Sequence, residues 1–168
     1  MEDYLQGIMV AARGVPMTLA ISLVAVMGGL VIGLLVAIAK RSKFKVLRAL
    51  ATVYVDVLRG TPLLVQVLIL AYGVPQMIRL IFDMQFNWEH MIIVGFIACG
   101  INSSAYMAEI IRSGLQAVDI GQTEAARSLG LSNGQTMRYI IVPQAFKIIV
   151  PALGNEFVTL IRKHPYCL

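Results

Sequence analysis

The sequence predicts an all-α fold: a polytopic membrane helix bundle that carries a helix–turn–helix loop on its cytoplasmic side. Three observations predict it. Of 168 residues, 58% are hydrophobic and only 14% are charged, and the mean hydropathy is +0.79. That leaves too little polar side chain to cover a water-exposed domain of this size. Next, no charged residue lies between Gly14 and Ala39, and about 20 apolar residues in a helix cross a bilayer core. Finally, five of the fourteen basic residues (Lys40, Arg41, Lys43, Lys45 and Arg48) directly follow that run, as in a cytoplasmic loop under the positive-inside rule. The chain reads as a single transmembrane domain, 1–168, with spans at about 15–39, 57–80, 91–111 and 148–162 and a cytoplasmic loop at 112–143.

The net charge of +5 reports this topology and not nucleic-acid binding, since a basic binding face needs a folded, water-exposed domain to carry it. Cys99 and Cys167 stand far apart without metal-ligand spacing, so neither a disulfide framework nor a metal site is expected. Cys99, inside an apolar segment, reads as a small hydrophobe. The first residues lack a basic n-region, and the run that follows is too long for a signal-peptide core, so it reads as a retained span. Its Gly29 and Gly33 form a small-xxx-small surface suited to close helix contact, more naturally within the subunit than in a dimer.

In the second span, Pro62 is expected in the first helical turn, where its missing N–H does no harm. Asp56 and Arg59 just before it are expected to pair on one helix face. Asp83–His90 reads as a short polar turn, with Trp88 suited to the membrane interface. The third span carries Asn102, Ser103, Ser104 and Tyr106 in its second half. Small polar residues there either hydrogen-bond neighbouring helices or line a path for a polar solute. Glu109 and Arg112 are spaced as a structural i, i+3 pair. The fourth span contains Lys147 and Glu156 and is interrupted by Pro143 and Pro151. An N-terminus outside puts Lys40–Arg48 and Arg112–Arg138 inside and the acidic turn Asp83–Glu89 outside.

The loop from Val118 to Pro143 is different in kind. Asp119 with Gln122 fits a capping box, and a short helix through Glu124, Ala125, Ala126 and Leu129 should stop at Gly130 in the left-handed C′ conformation. Ser132 with Gln135 starts a second capped helix, which Pro143 ends or kinks. A helical hairpin can be plain surface structure. The Ala125–Ala126 pair beside Glu124 nonetheless offers a sterically open surface to a partner's groove.

Glu124-Ala125-Ala126, three residues, Gly130, nine residues, and Ile140-x-Val142-Pro143 resemble the EAA loop of ABC importer permeases, with Val142 where that family usually has Leu. Arg59-Gly60-Thr61-Pro62-Leu63, Asn102–Ile110, Ile111-Arg112-Ser113-Gly114, Gly121-Gln122, Pro143-Gln144-Ala145 and Gly154-Asn155-Glu156-Phe157 are similar to the polar amino-acid uptake group, the histidine/glutamine permeases. The likeness extends from about Val15 to Arg162. It implies a type I importer permease core with about four of the usual five spans. It implies ATPase docking by Glu124, Ala125, Ala126 and Gly130, which would form a coupling helix.

The implied partners are a cytoplasmic ABC ATPase dimer, a second permease subunit (homo- or heterodimer) and a periplasmic or lipid-anchored solute-binding protein. The implied cargo is a polar amino acid, in a bacterial inner membrane. No cofactor, metal or catalytic residue is expected. No G-x-x-x-x-G-K-[ST] phosphate loop is present in the sequence, so ATP hydrolysis would belong to a separate subunit. Asn102, Ser103, Ser104 and Glu156 are candidates to face the solute path, although Glu156 could equally pair with Lys147 or Arg162. The family's permeases usually continue past the fourth span with a gate segment and a last helix. Here Lys163-His164-Pro165-Tyr166-Cys167-Leu168 follows Arg162, so a truncated or frame-disrupted product is expected, with no role for His164. The other readings are a truncated non-transporting membrane protein, a membrane scaffold that only binds a partner, and a secondary transporter. The last would be expected to show internal repeats and discontinuous charged helices.

Overall fold

A computed structural model describes residues 2–163; His164 and the residues after it, Cys167 included, lie outside the described residues. The described residues form helices α1 (Glu2–Lys40), α2 (Lys45–Gly60), α3 (Leu63–Leu68), α4 (Val74–Phe82), α5 (Met91–Gln116), α6 (Ile120–Ser128), α7 (Asn133–Thr136) and α8 (Val142–Lys163). A π turn, Ile69–Gly73, joins α3 to α4, and another, Met137–Ile141, joins α7 to α8. Four stretches are long and apolar enough to cross a membrane: Ser22–Lys40, Leu63–Phe82, Met91–Gln116 and Asn133–Thr159.

Helix α5 is the axis of the bundle. α1 packs along it, and α2, α3 and α8 close around it. Among the described residues of α1, the buried positions are Ser22, Ala25, Gly29, Gly33 and Ala37, a stripe at spacings of three and four, while Leu23, Met27, Val31, Leu34, Leu35 and Ile38 point outward. A soluble helix places its large apolar side chains inward. Here the small residues are inside and the large ones outside, the pattern expected when lipid replaces water and helices associate by close packing. The glycines make the contact possible. A Cβ on Gly29 would lie 2.8 Å from Ser103 Oγ, and one on Gly33 would lie 2.8 Å from the Ser104 carbonyl. The small-xxx-small surface therefore serves packing inside the chain. Farther along, Ala37, Val55, Ala108 and Ile111 join α1, α2 and α5 in one apolar cluster.

Both π turns sit just ahead of a proline. Val74 N–H donates to Ile69 O, and Val142 N–H donates to Met137 O, each five residues back. Pro75 and Pro143 follow at once. Proline has no N–H to give and its ring crowds the carbonyl four residues earlier; the wider turn takes up that crowding and the helix goes on. Pro143 thus neither ends nor breaks the helix as a stop would, and α8 also continues through Pro151. The first π turn has a second consequence. With Val74 N–H given to Ile69 O and Pro75 lacking a hydrogen, the Leu70 carbonyl is left without an intrahelical donor. Trp88 Nε1 supplies it at 2.8 Å, and Phe86 stacks edge-on against the indole. That fixes the 83–90 turn, which begins where α4 closes on Asp83 in the left-handed region (φ 51°).

Three local expectations are corrected. Pro62 is the N-cap of α3, one place outside the helix, with its carbonyl accepting from Val65 N at 3.0 Å. No ion pair joins Asp56 to Arg59: Asp56 is exposed, and the Arg59 guanidinium lies over the Tyr106 ring, 5.3 Å from its centroid. The Asp119–Gln122 capping box does not form. Asp119 Oδ1 accepts from Gly121 N at 2.6 Å, and Gln122 Oε1 instead accepts from Gln144 Nε2 at 3.1 Å, tying α6 to α8. The Ser132–Gln135 box is complete, with Ser132 N donating to Gln135 Oε1 at 2.8 Å and Gln135 N to Ser132 Oγ at 3.3 Å.

Candidate functional site

Two regions carry the candidate functional residues. The first is the hairpin of α6 and α7. Asp119 starts α6, and Gly130, at φ +85°, turns the chain after it. That conformation costs an L residue about 1–2 kcal/mol. Leu129 N donates to Ala125 O, Gly130 N to Arg127 O and Leu131 N to Ala126 O, all at 3.0–3.1 Å, closing the helix end. Glu124, Ala125 and Gly130 are exposed, as are Ile120 and Leu129 (81% exposed) on the same short element. Ala126 is buried, 5% exposed, on an α6 that rests on α7 and the second π turn. Of the four residues expected to dock a partner, three face outward and the fourth seats the helix.

The second region is the polar seam of α2, α3 and α5. Gln66 is its hub. Its Nε2 donates to Leu58 O at 2.8 Å, to Thr61 Oγ1 at 2.8 Å and to Thr61 O at 3.2 Å. Asn102 Nδ2 donates to Gln66 Oε1 at 3.2 Å and reaches Leu58 O at 3.4 Å. The last turn of α2 has carbonyls that no helix N–H can fill, and the Gln66 amide fills that of Leu58. Ser104 Oγ lies 2.6 Å from Tyr54 OH and 2.7 Å from Ile101 O, and Ser103 packs its side chain toward Gly29. Asn102, Ser103 and Ser104 are all buried. Asn102 also reaches a cleft of about 520 Å³ whose wall includes Arg59, Thr61, Pro62 and Tyr106. Glu156 is buried on α8, which packs on both α5 and α1.

At the other end of α5, Glu109 Oε1 accepts from Arg112 Nε at 2.9 Å and from Arg112 Nη2, and Glu109 Oε2 accepts from Lys40 Nζ at 3.2 Å. The expected Glu109–Arg112 pair forms and gains Lys40, so the last residue of α1 is tied to α5.

Residues 29–163 match the family of binding-protein-dependent transport system inner membrane components. The chain belongs to this family. Among curated members of this permease family, the chain is 42% identical to the putative glutamine transport system permease protein GlnP of Rickettsia prowazekii over 95% of this chain and 70% of that protein. It is 41% identical to the arginine transport system permease protein ArtQ of Bacillus subtilis over 90% of this chain and 66% of that protein. The chain thus spans about two thirds of these relatives' length. A solved amino acid ABC transporter with histidines superposes with a TM-score of 0.88 at 44% identity, over 98% of this chain and 73% of that one. The methionine ABC transporter MetNI, at 22% identity, TM-score 0.66 and 92% and 71% coverage, shares the fold.

In this permease, sequence reasoning did not single out Gln66, Tyr54 or the stacking of Arg59 on Tyr106. Gln66 had a signal: it is the sole amide in the otherwise apolar run from Leu63 to Ala71, and a polar side chain in such a run must find a partner. Tyr54 and Arg59 had none, because their partners lie about 50 residues away in sequence.

Proposed function

We propose that the chain is the membrane-spanning permease subunit of an ATP-driven importer of polar amino acids, which forms part of the solute path and docks its ATPase through α6. The observation that carries this reading is the outward-facing Glu124–Ala125 surface on a helix closed by Gly130 at φ +85°. A small, rigid projection of this kind can enter a groove on a partner, and any displacement of it is transmitted to α8 through the Gln122–Gln144 hydrogen bond. ATP closes the ATPase dimer, the docked helices move with it, and the helices of two permease subunits alternate their opening. ATP hydrolysis belongs to the separate ATPase, and a solute-binding protein delivers the cargo. The spans run at about 15–39, 57–80, 91–111 and 148–162, with the N-terminus outside. This orientation is supported by the basic residues around Lys40–Arg48 and Arg112–Arg138. Asn102, Ser103, Ser104 and Glu156 belong to the polar interior beside the path, with Asn102 at the cleft.

The test is co-purification with a candidate ATPase. Gly130→Pro and Glu124→Lys are both expected to lose association, and undiminished association in both removes the docking assignment. Reconstitution with that ATPase and a solute-binding protein should then give solute-stimulated ATP hydrolysis. A scaffold that only binds its partner would give none.

A further inference from the structure

Where α1 ends and α2 begins, the chain concentrates positive charge that the transport reading uses only to orient the spans. A cleft of about 490 Å³ opens there, lined by Lys40, Arg41, Arg48, Thr52, Arg112 and Gln116. Four cations therefore converge on one space. Its acidic neighbour Glu109 takes up Lys40 and Arg112, and Arg112 Nη1 donates to Gln116 Oε1 at 2.6 Å. Arg41 and Arg48 enter no ion pair among the described residues. Both line the cleft, and a guanidinium fork matches phosphate oxygens in pairs.

The setting narrows what the cleft holds. It lies at the end of the apolar stretch Ser22–Lys40, the depth at which a span passes from hydrocarbon to headgroups. Phe44, one turn ahead of Arg48, is 76% exposed, and Arg41 also lines an adjoining cleft walled by Ile38, Leu47 and Leu115. Large apolar side chains flanking a cation cluster at this depth suit an amphiphile, with its phosphate in the cleft and its chains along the flank. A free phosphate would use the cations and leave the apolar flank bare. We propose that this cleft binds the phosphate of an anionic phospholipid headgroup, with Arg41 and Arg48 as its donors.

The experiment is native mass spectrometry of the full chain in zwitterionic detergent, titrated with phosphatidylglycerol or phosphatidylcholine. Phosphatidylglycerol should bind at least about tenfold more tightly than phosphatidylcholine. Arg41→Gln with Arg48→Gln should weaken it about thirty-fold, the effect of two cations at a membrane surface. Lys43→Gln with Lys45→Gln removes the same charge outside the cleft and should weaken it no more than about threefold. Equal losses in the two double variants would overturn the cleft as the site. Absence of a headgroup preference in the unaltered chain would overturn the proposal without recourse to any variant. Displacement of phosphatidylglycerol by inorganic phosphate at equal concentration would overturn the lipid assignment in favour of a free anion.

Discussion

Gly33 of α1 rests directly on Met107 of α5: a methyl group placed on Gly33 would lie 2.6 Å from the Met107 Cβ and 3.0 Å from the Ala108 nitrogen. Most of those neighbouring atoms are backbone or Cβ, so they cannot swing aside. Gly33→Ala is therefore expected to lower stability by about 1–3 kcal/mol through overpacking. Gly28→Ala is the matched control, because nothing lies within 4 Å of its Cβ position; there, higher helix propensity leaves stability unchanged or slightly raised. Thermal unfolding in detergent reads both. Equal midpoints would refute close α1–α5 packing at Gly33.

Gln66→Leu keeps the volume and removes the hub of the polar seam. The Leu58 carbonyl and Asn102 amide then lose their main partner. A loss of about 1–2 kcal/mol is expected, since unpaired buried groups cost about that much and interhelical hydrogen bonds in membranes are modest. Adding Asn102→Leu should cost less than the sum of the two single changes, because the pair is coupled. A double-mutant cycle on urea or thermal unfolding measures this, and strict additivity would count against the network.

Gly130→Ala places a side chain at φ +85°, with an expected local cost of about 1–2 kcal/mol. Because nothing crowds the site, the cost is conformational and not steric. Association with the ATPase should weaken by about tenfold or more, while Gly134→Ala, four residues on in α7, leaves it unchanged. Surface plasmon resonance against the purified ATPase separates the two, and matching affinities would contradict a role for the Gly130 turn.

Glu109→Gln strips the carboxylate that joins Lys40 to Arg112. The remaining cations repel across the α1–α5 end, and a destabilisation of about 1–3 kcal/mol is expected, as for hydrogen bonds to charged groups. High salt should restore part of it by screening. A variant that melts like the parent at low salt would show that the triad contributes nothing.

The membrane-spanning architecture was legible because hydrophobicity is summed over long windows: the run after Gly14 and the basic cluster at Lys40–Arg48 each carry redundant signal. Caps at Asp119, Gly130 and Ser132 were legible because capping is local. The Asp119–Gln122 box failed because Gln122 found a better partner in Gln144, 22 residues away, which no local rule anticipates. Asp56–Arg59 failed similarly: an exposed pair at i, i+3 is worth a few tenths of a kcal/mol, less than a guanidinium gains over an aromatic face. Pro143 was expected to end or kink the helix; it does not end it, because the π turn just ahead takes up the crowding of the ring.

That extra width has an angular meaning. A π turn holds one residue more than the α turn it replaces, and one residue corresponds to about 100° around the axis at 3.6 residues per turn. Deleting a single residue within Met137–Ile141 would leave an ordinary helix with an unchanged composition of faces. The side chains beyond it, Glu156 included, would keep nearly the same azimuth, because five residues in the wide turn cover about the angle that four cover in an α turn. The two wide turns therefore each hold an extra residue without turning the helix that follows, whereas the same number of residues in unbroken α geometry would rotate that helix by about 100°.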